Sequence, residues 1–221
     1  MRTIRVTGKG QLKVTPDVMR ITMSMTDRYA DYSEALRRSA EDTEKLKDLL
    51  MDHGFERTDL KTLNFSIDTE YESYREKNVY KRRFIGYRYN HLLKVEFDFD
   101  NDRLGQVLYA LAHCPAAPQF RVSYTVKDTE APKNALLGKA VADAKTKAEI
   151  LTLAAGTKLK DIQTIDYSWG EIDFEVRPMG RAFMADECAI APAAKCESYD
   201  LDIQPDDIEL ADTVTVVWEI E

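Results

Sequence analysis

Ile85, Tyr87, Tyr89, His91, Leu93, Val95, Phe97 and Phe99 share one parity, and all but His91 are apolar or aromatic. The positions between them carry Arg88, Asn90, Lys94, Glu96 and Asp98. A period of two over this length is that of a β-strand with one covered face. Such a face needs a second layer, and the same chain supplies amphipathic helices to build it.

The first helix is expected from Asp31, with Glu34 three residues on as in a capping box, to His53-Gly54. Its stripe is Ala35, Leu36, Ser39, Ala40, Thr43, Leu46, Leu49 and Leu50. A short second helix carries Leu104, Val107, Leu108 and Leu111. A long third begins near Pro132, with a stripe of Leu137, Ala140, Val141, Ala144, Ala148, Leu151 and Ala155, and stops at Gly156.

Further strands alternate around Ile4, Val6, Leu12 and Val14, with a kink or bulge at Gly8-Lys9-Gly10, and around Met19, Ile21, Met23 and Met25. Leu63, Phe65 and Ile67 begin the partner of the 85–99 run in a long hairpin. Phe120 to Val126, Ile162 to Ile165, and Val214 to Ile220 complete the set. The order is ββαββαβαββ. That predicts an α+β fold, a mixed and largely antiparallel sheet with helices packed on it. One domain over 1–221 is expected, with two intimately packed sub-domains at about 1–99 and 100–221 as the alternative. The stretch 168–208 has no sustained period and reads as an irregular arm.

The net charge of −8 disfavours nucleic acid as a general partner. No apolar run is long enough to span a membrane. Met1 is followed by an alternating strand and not by an apolar leader, so a cytoplasmic setting is expected, or a periplasmic one if the native start is processed or missing. Three cysteines, Cys114, Cys188 and Cys196, make no disulfide framework.

Ile4-Arg5-Val6-Thr7-Gly8-Lys9-Gly10 with Thr15-Pro16-Asp17 resembles the start of SIMPL domains. Thr62-Leu63-Asn64-Phe65-Ser66-Ile67 with Ile85-Gly86-Tyr87-Arg88 is similar too, as are the 140–149 helix, Arg177-Pro178-Met179, and the strand after Ile208. The resemblance spans nearly the whole chain. It implies a bacterial protein of a family that includes a channel-like periplasmic oligomer and members tied to stress tolerance. It carries over no catalytic residue.

The residues themselves point to no catalytic, cofactor or metal site. His53 reads as a helix-end residue, His91 as a hydrogen-bonded core or interface histidine, and His113-Cys114 as a pair lacking an acidic orienter. Cys188 and Cys196 are spaced too widely for a structural zinc pair. Gly8-Lys9-Gly10 lacks the spacing of a phosphate-binding loop.

Two surfaces stand out. Arg75, Lys77, Tyr80, Lys81, Arg82, Arg83 and Arg88, interleaved with Tyr71, Tyr74 and Tyr87, form a basic-aromatic hairpin over 71–88 able to bind an acidic polymer. Ile172, Phe174, Val176, Met179, Phe183, Met184 and Ile190 are too apolar for a solvated linker, and read as an assembly arm laid on a neighbouring subunit or as a lid over the chain's own sheet. The expected role is a non-enzymatic, homo-oligomeric structural or interaction protein without cofactor; a protein partner is expected before nucleic acid.

Overall fold

The computed structural model describes residues 2–76, 79–167, 172–176 and 203–221. The chain runs β1 (Arg2–Val14), β2 (Val18–Tyr29), α1 (Tyr32–Asp52), β3 (Lys61–Glu76), β4 (Val79–Asp98), α2 (Asn101–Ala112), β5 (Gln119–Thr125), α3 (Glu130–Ala154), β6 (Leu159–Tyr167) and β7 (Ile208–Ile220). This is the α+β order expected. The strands divide between two sheets, ordered β1-β7-β6 and β3-β4-β2-β5. The chain accordingly forms two compact units.

The first unit joins Met1–Asp17, Tyr124–Val176 and Pro205–Glu221. β1 pairs antiparallel with β7 in unbroken register from Arg2↔Ile220 to Val14↔Ile208. The expected bulge at Gly8-Lys9-Gly10 is therefore absent. The two glycines serve packing instead: α3 lies so close over β1 that side chains at positions 8 and 10 would meet its backbone. The helix matches them with small residues. Ala140, Ala144 and Ala148 are fully buried against Val6, Val214, Val216 and Trp218.

The buried line of α3 is Leu136, Ala140, Ala144, Ala148 and Thr152. Leu151 and Ala155, which periodicity placed inward, are exposed. The helix is apolar on several sides, so pattern alone misplaced its stripe. Along the outer edge of β1, Asp143 Oδ2 accepts from Lys9 N at 2.7 Å and Lys139 Nζ donates to Gln11 O at 3.2 Å. Helix side chains thus cap an edge that would otherwise pair with another strand.

Most of the second unit is Val18–Ser123. β4 is central, paired antiparallel with β2 on one side and β3 on the other. From Tyr89 to Phe97 its odd positions are buried, as their parity predicts, together with Met19, Ile21, Met23 and Met25 of β2. Leu46 and Leu50 of α1 and Leu104, Val107 and Leu111 of α2 are also buried. Asp31 is the N-cap of α1, but its carboxylate makes no capping bond, and Glu34 is held by Arg37 and Arg38. The expected capping box does not form. Asp100 caps α2, accepting from Arg103 N at 3.0 Å.

Candidate functional site

β2 ends at Tyr29, opposite Tyr87, where the chain turns into α1. β3 and β4 continue together to Glu76↔Val79. Residues 70–76 and 79–86 therefore form a two-stranded ribbon running past the rest of the sheet. Its base is anchored by Tyr29 stacked on Tyr89, with ring centroids 6.4 Å apart. The Tyr29 hydroxyl donates to Asp27 and that of Tyr89 to Asp42. Burial, helped by the Asp27 carboxylate, pushes the Tyr29 phenol up to about 12, so it stays a neutral donor.

A bulge sets the ribbon's faces. The pairing passes from Glu70↔Gly86 to Tyr71↔Phe84, leaving Ile85 as the extra residue. Gly86 makes this possible: its φ is +142°, and a β-carbon there would lie 2.4 Å from the Tyr29 carbonyl oxygen. Beyond the bulge the parity of β4 is reversed, so even-numbered residues share the face of Tyr87. The pairs Tyr71↔Phe84, Ser73↔Arg82 and Arg75↔Tyr80 lie on that face. Glu72↔Arg83 and Tyr74↔Lys81 lie on the other.

The two faces differ chemically. On the first, an edge-to-face series links Tyr32 to Tyr87 at 5.6 Å, Tyr87 to Phe84 at 5.2 Å and Phe84 to Tyr71 at 5.7 Å. The Arg82 guanidinium sits 4.9 Å over the Tyr71 ring and that of Arg75 lies 5.9 Å from the Tyr80 ring. Between Tyr71 and Arg75, and between Tyr80 and Phe84, this face carries no carboxylate. The rings are open to solvent, Tyr80 being 77% exposed. On the second face the charges are matched: Arg83 pairs with Glu72 at 2.8 Å. Arg88, on the part of β4 that follows the bulge, pairs with Glu70.

Of the expected binding residues, Arg75, Tyr80 and Arg82 are thus brought together; Lys81 and Arg83 lie on the opposite face, and Arg88 is drawn to Glu70. Lys77 lies outside the described residues. Tyr32 and Phe84 were not singled out from sequence. Phe84 falls on the unexpected parity, and Tyr32 arrives from the first turn of α1.

The histidines have structural partners. His91 is buried, with Nδ1 3.0 Å from Thr43 Oγ1 and Nε2 3.0 Å from Thr62 Oγ1. His53 Nδ1 meets Leu49 O at 2.9 Å and His113 Nδ1 meets Tyr109 O at 2.8 Å, each at a helix C-cap. Cys114 is a buried free thiol; Cys188 and Cys196 lie outside the described residues. Within the arm, Phe174 is buried with Val126, Leu136, Ile208 and Leu210 of the first unit, and Ile172 and Val176 pack beside it. Val176 also exchanges two backbone hydrogen bonds with Tyr124, both 2.9 Å. Met179, Phe183, Met184 and Ile190 lie outside the described residues.

No helix among the described residues is long and apolar enough to cross a membrane. The fold defines an α+β protein built from two small antiparallel sheets, the three-stranded one packed against α3 and the four-stranded one against α1. Residues 4–218 match the profile of the SIMPL family, described as a protein of unknown function (DUF541), and the chain belongs to that family. No curated protein matches it in sequence. Among solved structures, CutA from Synechococcus elongatus is similar over 59% of this chain and 95% of its own, at 13% identity and a TM-score of 0.21.

Proposed function

We propose that the protein is a non-enzymatic interaction protein that works as a homo-oligomer. The observation that supports this most is an apolar row on β6 that no helix among the described residues covers. Ile162, Ile165 and Tyr167 stand opposite Trp218, Val216 and Val214, on the face that α3 covers. α3 packs mainly on β1 and β7, so the row on β6 remains about half exposed. A row of this kind at a sheet edge suits a second copy of the chain. Light scattering on the full chain tests it. Ile165→Asp should reduce the solution mass to that of one chain while the fold persists. A monomeric wild-type protein at tens of micromolar overturns the reading. Met179, Phe183, Met184 and Ile190 belong to the same proposal as an assembly arm, and deleting 177–194 should then also lower the mass.

A second reading rests on the carboxylate-free face of the ribbon. Two guanidiniums among open rings suit an acidic polymer. Arg75→Ala with Arg82→Ala should abolish salt-sensitive binding, whereas Arg83→Ala, which frees Glu72, should weaken it less.

A further inference from the structure

We infer that the free edge of the ribbon, residues 79–86 of β4, takes up an extended acidic protein segment as an added β-strand. This rests on the reading of the ribbon as a surface for acidic partners and names the partner and its mode of binding. Between Tyr87 and Lys94, β4 is paired on both sides. From Gly86 to Val79 it pairs with β3 alone, and among the described residues no strand continues the line of β2. The edge so exposed presents backbone donors and acceptors at every second residue, the pattern that recruits an incoming strand.

The side chains beside that edge select its occupant. Tyr80, Arg82 and Phe84 project to one face, Lys81 and Arg83 to the other. A second copy of the same strand is disfavoured by charge in the register centred on Arg82. In antiparallel pairing, Lys81-Arg82-Arg83 would face itself, and like charges directly opposite destabilise a sheet. A strand with Glu at alternate positions can instead set its carboxylates on the face of Arg82, between Tyr80 and Phe84, where the ribbon has no carboxylate of its own.

The basic face pairs rings with arginines, the composition of protein-binding hot spots. Nucleic acid fits less well. Phosphate binding without sequence choice needs many cations, and the chain as a whole carries −8.

The test uses the full chain and a fluorescent octapeptide alternating glutamate with valine, at about 50 mM and about 300 mM salt. Binding is expected at the lower salt, and should fall by about tenfold or more when every peptide nitrogen is methylated, which keeps the charge and removes the donors. Replacing Lys81, Arg82 and Arg83 by glutamate should abolish binding and create affinity for the lysine–valine counterpart. Equal binding of the methylated peptide overturns strand addition while leaving the acidic-surface reading intact. Binding of a single-stranded oligothymidine in preference to the peptide does the same. Failure to bind either probe overturns both. Because the methylated peptide is read on the unaltered protein, a misfolded charge-reversed variant does not rescue the idea.

Discussion

A β-carbon on Gly8 would stand 2.0 Å from the carbonyl oxygen of Ala140. No rotamer change relieves such a clash, because both partners are backbone. Gly8→Ala must push α3 off β1, and overpacking of this kind costs about 3 kcal/mol or more. Urea unfolding followed by tryptophan fluorescence checks it. An unchanged midpoint would show that the helix does not sit where the structure has it.

Leu93 is 1% exposed at the centre of the four-stranded sheet. Leu93→Ala should lower stability by about 2–5 kcal/mol. A loss below about 0.5 kcal/mol, typical of surface sites, contradicts the central placement of β4.

Arg103 ties α2 to the end of α1. Its guanidinium lies 4.0 Å over Phe55 and donates to Gly54 O at 2.9 Å. Arg103→Ala should cost about 1–3 kcal/mol, and Arg103→Lys should recover less than half, since an ammonium cannot stack and donate in the same plane. Full rescue by lysine in a denaturation series would refute the stacked role.

His91 makes stability depend on pH. Burial, with a smaller contribution from Lys47, holds its imidazole below the usual 6.5. The unfolded chain therefore binds its proton first as pH falls. Stability attributable to His91 is complete above about 6.5 and declines as pH drops below it, until the folded ring also protonates. His91→Gln should flatten the urea-midpoint profile between about pH 7.5 and 5. An identical slope in both proteins refutes it.

Local pattern carried most of the element order. Gly54 and Gly156 end their helices at φ +79° and +69°, as a C-terminal glycine should. The run from Tyr89 to Phe97 showed its buried face because neighbouring charges fill the other. What stayed illegible was non-local. Nothing near Ile4 announces Trp218 as its partner, so the division into two sheets lay beyond periodicity. The ribbon face was hidden by one residue: counting back from Tyr87 by twos reaches Arg83 and Lys81, whereas the bulge at Ile85 delivers Phe84, Arg82 and Tyr80. Gly8 and Gly10 suggested a bent backbone when their task was to admit a helix.

The pairing of β1 with β7 also has a consequence for synthesis. β1 emerges from the ribosome early, and its hydrogen-bonding partner follows only after all of β2 to β6. Most of the unit spanning Val18–Ser123 is complete long before then. Throughout elongation Val6 and its neighbours wait without a sheet to enter, so the nascent chain carries a largely complete unit and an unsatisfied strand at once. That interval is when a chaperone would engage this protein, and when slow translation through the later strands would most favour aggregation.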